Sequence, residues 1–503
     1  MASEASRRRS GFLSLLIDAA SLAALASLIL FHHLGSASLL GDEAIYAQVS
    51  RAAVLRGFWL PPRYQGVIFL AKPPLRIWAV AVLFRLFGAS EWTARVLDAG
   101  MGVATILLVY LAGRALFGRR PAAIAALLLL AAHNLVFFHG LREGVQESAL
   151  LLTLTSALLL YLLAATGAGG ERWRPGRATD TVCGLLTAAA LLVKNAVGLL
   201  VPGATGLFEL IFPRQPGGRG WRRLLPESTL RILAVVLAVY LPWLAAAYVA
   251  SGGTYFHVLH NDVVRRLTEG IDPRHVRHGV YLHELAGDFG PALVLLGLAA
   301  LFGAVAWRDR RRSELERVTF LALWAGAVLA VLSTSAEKLE WYIYPAYPAI
   351  ALLCGYAADR ALAWVAGRRA ALARLGILLV AAYLGAGVVR AWRTSSLQPV
   401  RIDADQLARQ VVAAGRPRFC LEEGLGMREW NVYYLTPLIQ RLVVTPADAA
   451  SCEVLLTEDP ERFLAGPLPP GRVHRFHKYD RTEPDTYAVD LAGKLRLDRI
   501  PSR

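Results

Sequence analysis

Residues Ala149–Ala165 have the sequence ALLLTLTSALLLYLLAA, which contains no charged side chain. Two further stretches, Ala122–Phe138 and Ile232–Ala250, are also free of Lys, Arg, Asp and Glu. A helix needs about 20 apolar residues to cross the hydrocarbon core of a bilayer, and each of these stretches approaches that length. The sequence therefore predicts an α-helical polytopic membrane protein.

The composition of the chain agrees with this prediction. Of the 503 residues, 55% are hydrophobic and only 18% are charged, and the mean hydropathy is +0.43. The net charge of +16 would indicate nucleic-acid binding in a soluble protein. Here the arginines cluster in short loops between apolar segments, where such residues set membrane topology. We therefore expect the lipid bilayer as a partner, and no nucleic acid.

The apolar segments predict about eleven transmembrane helices. The first is interpreted as an uncleaved helix, and a shorter apolar helix at Pro74–Phe87 is predicted to lie at the membrane interface. The predicted spans are 11–32, 92–116, 121–138, 147–165, 180–195, 197–213, 228–250, 290–307, 317–334, 341–361 and 370–389.

The arginine clusters predict the orientation of these helices. With Arg7–Arg9 in the cytoplasm, alternating spans bring every other arginine-rich loop to the same side. Those loops contain Arg114, Arg119, Arg120, Arg172, Arg174, Arg177, Arg214, Arg219, Arg222, Arg223, Arg308, Arg310, Arg311, Arg312, Arg317, Arg360, Arg368, Arg369 and Arg374. The first long loop (33–91), the loop 251–289 and the tail after Arg390 then lie on the outer side.

The tail alternates helix-like and strand-like segments, and it predicts a small α/β domain outside the cytoplasm, periplasmic in a bacterium. The predicted domains are thus a transmembrane domain of residues 1–390 and this outer domain of residues 391–503. Residues 403–414 resemble a helix, and residues 418–421 and 453–456 resemble strands. Cys420 and Cys452 could form a disulfide in such a compartment.

Charged residues on the outer side are the candidates for chemistry. Asp42 and Glu43 follow the first span; they suit a helix N-terminus, but Asp42 could also serve as a base. Lys72 precedes two prolines, where it could contact lipid or a phosphate head group. Glu147 begins an apolar run, and pairing with Arg142 is the structural alternative to a functional role.

Three further outer segments carry cations. Lys194 lies between two short apolar segments, and Lys338 lies in a connection between two spans. The loop 251–289 contributes Arg265, Arg266, His275 and His278. Because membrane topology does not require Lys72, Lys194, Lys338 and Arg265 on this side, we infer that these four residues share an anionic ligand such as a lipid phosphate.

The order of these motifs resembles the GT-C glycosyltransferases of the aminoarabinose-transferase and protein O-mannosyltransferase superfamily. The resemblance covers residues 10–390, and the ordered set is more specific than any one motif. The matching motifs are Asp42-Glu43-Ala44-Ile45-Tyr46-Ala47, Ala71-Lys72-Pro73-Pro74-Leu75, Arg142 followed by Glu147, Lys194-Asn195, Pro242-Trp243, and Ser335 to Lys338 followed by Tyr342, Pro345 and Pro348.

The resemblance implies a GT-C fold and an inverting transfer of a sugar from a polyprenyl phosphate to an acceptor on a glycolipid, glycan or protein, lipid A included. It implies a catalytic role for Asp42, Glu43 and Glu147, with Asp42 as the base. The residues implied to bind the donor phosphate are Lys72, Arg265, Lys338 and Tyr342. The residues implied to line the substrate cavity are Tyr46, Arg142, Lys194 and His275.

No cofactor is required by this scheme, although a divalent cation could bind if Asp42, Glu43 and Glu147 converge. The family pattern has a glutamate where this chain has Ala71, an aspartate where it has Glu147, and a glycine where it has Asn195. Two alternatives therefore remain: a transporter or flippase for a lipid-linked saccharide, and a non-catalytic relative that binds glycan. Mid-membrane charges and paired repeats, which would favour a transporter, are not found in the sequence.

Overall fold

The computed structural model describes residues 2–168, 176–213, 226–270, 275–397, 401–425, 429–463, 472–476, 486–497 and 500. Long helices dominate up to Ser395, and a small mixed sheet follows them. The predicted architecture, a helical membrane protein with a small C-terminal α/β region, agrees with this arrangement.

The helices of the membrane part follow the apolar pattern of the sequence, because an apolar segment in a bilayer must satisfy its backbone hydrogen bonds internally. They are α1 (Ala2–Phe31), α2 (Gly41–Arg56), α3 (Leu75–Phe87), α4 (Glu91–Phe117), α5 (Arg119–Ala131), α6 (His133–Phe137), α7 (Glu147–Ala165), α8 (Arg177–Lys194), α9 (Leu200–Ile211), α10 (Glu227–Ser251), α11 (Thr254–Leu259), α12 (Arg266–Thr268), α13 (Val280–Phe289), α14 (Val294–Arg308), α15 (Arg312–Thr334), α16 (Tyr347–Ala366) and α17 (Ala370–Ser395).

Short irregular helices join several of these elements. Residues Asn195–Leu199, Gly290–Leu293 and Glu340–Ala346 form 3-10 helices, and His260–Arg265 form a π-helical turn between α11 and α12. The loop 33–91 also contains a two-stranded hairpin of β1 (Arg63–Tyr64) and β2 (Val67–Ile68).

Within the described ranges, nine helical stretches are long and apolar enough to cross a membrane. The predicted span 121–138 is not one of them, because it is divided into α5, with 13 residues, and the five-residue α6. The predicted pair 180–195 and 197–213 forms one stretch, Arg177–Ile211. The count of eleven spans therefore stays a prediction.

The stretch Arg177–Ile211 contains a reversal of direction near Asn195. Lys194 at the end of α8 contacts Glu147 at the start of α7, whereas Glu209 near the end of α9 accepts a hydrogen bond from Tyr161 in the last two turns of α7. The two helices therefore run in opposite directions along α7. Asn195 at the bend has a φ of +34°, a backbone conformation that glycine adopts more readily than other residues.

The small domain contains a five-stranded mixed sheet with the order β4-β3-β5-β7-β6. Its strands are β3 (Phe419–Glu422), β4 (Ile439–Val443), β5 (Val454–Thr457), β6 (Val473–Arg475) and β7 (Tyr487–Asp490), and its helices are α18 (Asp403–Ala413), α19 (Glu429–Leu435), α20 (Pro446–Ala449) and α21 (Pro460–Phe463). The predicted helix 403–414 and strands 418–421 and 453–456 are thus confirmed as α18, β3 and β5. Cys420 and Cys452 form a disulfide between β3 and the segment before β5.

Hydrogen bonds attach the small domain to the loop 33–91. The Ser38 hydroxyl donates to Asp405 at 2.8 Å, and the backbone N–H of Leu39 donates to the Tyr434 hydroxyl at 2.8 Å. Glu91 at the start of α4 pairs with Arg409 of α18 at 2.9 Å. These contacts position the segment that leads into α2, and α2 carries Asp42 and Glu43.

Candidate functional site

A cavity of about 420 Å³ lies where α7, α8, the π-helical turn and the 3-10 helix Glu340–Ala346 meet. Its charged lining residues are Lys72, Glu147, Lys194, Asp262 and Arg266. The remaining wall is mainly apolar, with Leu150, Leu151, Ala196, Val197, Leu199, Leu200, Gly203, Ala204, Val263, Leu267, Ala327, Val328, Val331, Leu332, Trp341 and Pro345 among its residues. The cavity therefore combines a charged end with walls that suit a hydrocarbon chain.

Glu147 and Lys194 form an ion pair at this charged end. The Lys194 Nζ donates to Glu147 Oε1 at 2.5 Å, and it also lies 4.4 Å from the centre of the Tyr342 ring. Both side chains are largely buried, so the pair is poorly screened by water. The structural alternative for Glu147, pairing with Arg142, is wrong.

A second ionic cluster joins the loop 33–91 to the segment 251–289. The Asp262 carboxylate lies 3.2 Å from Lys72 Nζ through Oδ2 and 3.3 Å from Arg266 Nε through Oδ1. Arg266 also donates to Glu337 at 3.1 Å and to the Tyr342 hydroxyl at 3.0 Å. Lys72 is therefore directed into the protein, and the alternative of a lipid-facing lysine is wrong.

Asp42 belongs to α2 but does not cap it. The N-cap position is Leu40, and the Asp42 carboxylate accepts a hydrogen bond from the Tyr46 hydroxyl one turn later, at 3.0 Å. Burial raises the pKa of Tyr46 well above its usual value, and the negative charges of Asp42 and Glu147 raise it further. Tyr46 thus stays a neutral hydrogen-bond donor near both carboxylates.

Glu43 is held by a buried network behind Asp42. Arg95 of α4 donates to both of its carboxylate oxygens, at 2.8 and 2.6 Å, and the backbone N–H of Gly144 donates at 2.6 Å. Burial opposes ionisation of Glu43, but the charge and hydrogen bonds of Arg95 outweigh it and lower the pKa of Glu43. A Cβ at position 144 would lie 2.9 Å from the Ala94 carbonyl oxygen, which explains a glycine there.

A parallel buried pair supports the same region. Arg76 of α3 donates to Asp98 of α4 at 2.9 and 2.5 Å, and both side chains are almost completely buried. Together with the Glu43–Arg95 pair, it connects α2, α3 and α4. The acidic end of α2 is therefore held rigidly.

Arg142 and Lys338 contact backbone carbonyls. The Arg142 guanidinium donates to the carbonyl oxygens of Ile29 and His32 at the end of α1, at 2.5 Å each. Lys338 is buried and donates to the Ser335 carbonyl oxygen at 2.5 Å. Neither residue lines the cavity.

The structure places Arg265 and His275 outside the cavity lining. Arg265 is exposed and pairs with Glu269 one turn away at 2.9 Å, whereas its neighbour Arg266 lines the cavity. The His275 carbonyl oxygen accepts from the backbone N–H of Lys338 at 2.9 Å, and its ring nitrogen Nδ1 lies 3.8 Å from Glu337. The functional roles of all predicted site residues stay predictions.

The structure thus brings Lys72, Glu147, Lys194 and Tyr342 to one cavity. Tyr46 donates a hydrogen bond to Asp42 and is close enough to Glu147 to feel its charge. The sequence analysis did not assign roles to Asp262, Arg266 or Arg95. The spacing of Asp262 and Arg266, one helical turn apart, was the one local signal available. The partners of Arg95 and Lys72 are 52 and 190 residues away along the chain, and no local pattern indicates them.

The described residues contain no group of three or more His, Cys, Asp or Glu side chains arranged to hold a metal ion. Asp42, Glu43 and Glu147 do not form such a group, since Glu43 is bound by Arg95. The expectation that no cofactor is required stays a prediction.

Comparisons with known proteins connect this arrangement to a superfamily. The family described as dolichyl-phosphate-mannose-protein mannosyltransferase matches residues 71–245. The undecaprenyl phosphate-alpha-4-amino-4-deoxy-L-arabinose arabinosyl transferase of Pseudomonas aeruginosa (strain LESB58) is 31% identical over 345 residues, which are 68% of this chain. The matched part covers 60% of the length of that relative.

Solved structures share the fold. ArnT from Cupriavidus metallidurans bound to undecaprenyl phosphate superposes with a TM-score of 0.67 at 20% identity, over 95% of this chain and 98% of ArnT. The archaeal oligosaccharyltransferase AglB from Archaeoglobus fulgidus, in complex with an inhibitory peptide and a dolichol-phosphate, superposes with a TM-score of 0.55 at 14% identity, over 88% of this chain and 69% of AglB. The recognition of a GT-C glycosyltransferase superfamily member from the sequence motifs is confirmed.

Proposed function

We propose that this protein is a glycosyltransferase that moves a sugar from a polyprenyl phosphate to an acceptor on the outer face of the cytoplasmic membrane. The observation that carries the proposal is a cavity in which three cations, Lys72, Lys194 and Arg266, lie beside an extensive apolar wall. A polyprenyl phosphate has the matching parts, an anionic head and a hydrocarbon chain. The name of the Pseudomonas aeruginosa relative specifies undecaprenyl phosphate joined to 4-amino-4-deoxy-L-arabinose, which supports the same donor class.

In this proposal, Lys72 and Arg266 neutralise the phosphate of the donor. The acceptor oxygen attacks the anomeric carbon, and the bond from that carbon to the phosphate oxygen breaks. The leaving polyprenyl phosphate keeps the electron pair and gains negative charge, which positive groups stabilise. Phosphate is a good leaving group, so charge neutralisation matters more than protonation.

The proton of the acceptor hydroxyl passes to Asp42. Asp42 is half-buried at the start of α2, and among the described residues its carboxylate accepts a hydrogen bond only from Tyr46. Glu43 differs from it, because both Glu43 oxygens are engaged by Arg95. Attack from the face opposite the phosphate inverts the anomeric centre, and Tyr46 orients the base.

The outer location of this site rests on the arginine distribution and on the disulfide. Cys420 and Cys452 are bonded, and disulfides persist in oxidising compartments such as the bacterial periplasm. The disulfide-bearing domain contacts the loop that leads to Asp42. The N-terminus is then cytoplasmic and the small domain periplasmic.

The test is release of undecaprenyl phosphate from a sugar-labelled donor by the full chain in lipid nanodiscs. The donors form a panel that includes the 4-amino-4-deoxy-L-arabinose lipid, and an envelope lipid extract supplies acceptors. We expect release by the wild type and a rate lower by about 10²–10⁴-fold in Asp42→Asn, the range for loss of a general base. Asp359→Asn, in the second half of α16 and outside the cavity lining, is the matched control and should keep the wild-type rate.

Two results would contradict the proposal at different points. Full activity of Asp42→Asn would exclude Asp42 as the base. If the wild type releases no undecaprenyl phosphate from any donor of the panel, the proposed enzymatic function is wrong.

Ala71 favours a second candidate function, a non-catalytic relative that binds glycan, because the family pattern has a glutamate at that position. Such a protein would bind undecaprenyl phosphate-linked sugar without releasing the lipid phosphate. Ala71→Glu discriminates between the two: gain of release only in this variant would identify the wild type as non-catalytic.

A further inference from the structure

We propose that Asp262 is an internal competitor for the donor phosphate: its carboxylate and the phosphate use the same two cations, Lys72 and Arg266. The proposal rests on the function proposed above and adds a residue that controls binding and release of the lipid phosphate. Its basis is the position of Asp262, whose two carboxylate oxygens lie 3.2 Å from Lys72 and 3.3 Å from Arg266.

Each cation that lines the cavity is paired with a carboxylate, and one of the three carboxylates, Glu337, lies outside the lining. Lys194 is matched by Glu147, Arg266 by Glu337, and Lys72 by Asp262. A phosphate that entered beside three carboxylates and three cations would add net negative charge to a site with little solvent. Such uncompensated burial of charge is costly, so one carboxylate must give up its cations when the phosphate binds.

Asp262 is the carboxylate that can do so most easily. Its side chain is 19% exposed, against 8% for Glu147 and 3% for Glu337. It belongs to the π-helical turn His260–Arg265, in which no residue is buried, and α12, which follows, also lacks a buried residue. The few packing contacts make a change of the Asp262 position less costly than a change of the others.

The competition treats donor and product differently. A sugar-linked polyprenyl phosphate is a phosphodiester with one negative charge, so its exchange with the Asp262 carboxylate leaves the charge of the site unchanged. The released polyprenyl phosphate is a monoester that carries about −1.5 to −2 at neutral pH. It therefore adds charge to the site, and the returning Asp262 carboxylate favours release of the product.

The test measures binding of undecaprenyl phosphate to the full chain in nanodiscs. We expect Asp262→Asn and Asp262→Ala to bind undecaprenyl phosphate about tenfold more tightly than the wild type does. This change is expected if the two cations are free of Asp262 in only about a tenth of wild-type molecules. Asp262→Glu keeps the charge and should stay within about twofold of the wild type. Glu269→Gln, which removes an exposed carboxylate paired with Arg265, is the matched control and should not change the affinity.

Undecaprenol, which lacks the phosphate, separates a charge effect from a change in the apolar wall. We expect the wild type and Asp262→Asn to bind it equally. Equal or weaker binding of undecaprenyl phosphate by Asp262→Asn and Asp262→Ala would overturn the competitor role, and weaker binding would mean that Asp262 orients the cations. If no form of the protein binds undecaprenyl phosphate, the proposed function fails as well, so the two failures are distinguishable.

Discussion

Glu43 accepts hydrogen bonds on both carboxylate oxygens from a single residue, Arg95, at 2.8 and 2.6 Å. The two residues are buried and come from different helices, α2 and α4. The neighbouring Asp42 has a single hydrogen bond from Tyr46 among the described residues. Adjacent acidic residues therefore have different environments, one suited to structure and the other to chemistry.

The Glu43–Arg95 pair leads to a prediction about stability. Glu43→Gln leaves the Arg95 charge buried without its counter-ion, and breaking a buried pair in this way costs about 3–5 kcal/mol. We expect a clear decrease in the free energy of unfolding, measured in detergent as a lower unfolding temperature. Glu269→Gln breaks an exposed pair and should cost no more than about 1 kcal/mol. Equal effects of the two variants would contradict a structural role for Glu43.

The pKa of Glu143 predicts a dependence of stability on pH. Burial, followed by the negative charge of Glu43, raises the pKa of Glu143 to about 8 in the folded protein. Between about pH 4.5 and about pH 8, Glu143 is then protonated in the folded state and ionised in the unfolded state. The free energy of unfolding should therefore decrease as pH rises from about 4.5 to about 8, by up to about 1.4 kcal/mol per pH unit. Unfolding temperatures of wild type and Glu143→Gln, recorded across this range, test the prediction. Parallel curves for the two proteins would show that Glu143 does not cause the dependence.

The disulfide predicts the behaviour of the four cysteines. Cys420 and Cys452 are separated by 32 residues, and closing a loop of that size stabilises a fold by about 3–4 kcal/mol. We expect the Cys420→Ser/Cys452→Ser variant to unfold the small domain at a lower temperature. Thiol labelling of the unfolded protein should modify Cys183 and Cys354 before reduction and all four cysteines after it. Four labelled cysteines without reductant would rule out the disulfide.

Arg265 and Arg266 are adjacent, and the structure gives them different environments. Arg266 lines the cavity, whereas Arg265 is exposed and pairs with Glu269. A hydrogen bond between charged groups contributes about 1.5–3 kcal/mol, so Arg266→Met should weaken binding of undecaprenyl phosphate by roughly tenfold or more. Arg265→Met is the matched control and should change the affinity by less than about twofold. A larger loss of affinity in Arg265→Met than in Arg266→Met would support the role that the sequence motifs imply for Arg265.

The sequence predicted several elements with accurate limits. The helix predicted at Pro74–Phe87 is α3, Leu75–Phe87, and the helix predicted at 403–414 is α18, Asp403–Ala413. Apolar periodicity and length determine such elements locally. The segment 121–138 was predicted less well, because its break at Ala132 depends on contacts of Asn134 with Glu284 and Asp288 of α13. Those residues are about 150 positions away along the chain.

By itself, the sequence determined the class of the protein, the approximate positions of its spans and some of the residues that line the cavity, among them Lys72, Glu147 and Lys194. Those properties follow from hydrophobicity, charge and spacing, which act locally. Only the tertiary structure decided that Glu147 pairs with Lys194 and that Asp262 contacts both Lys72 and Arg266. It also decided that Arg95 binds Glu43, whereas Asp42 accepts its one hydrogen bond within the described part of the chain from Tyr46. Ion pairs of this kind depend on distances of a few ångströms between segments remote in sequence, and those distances exist only in the folded chain.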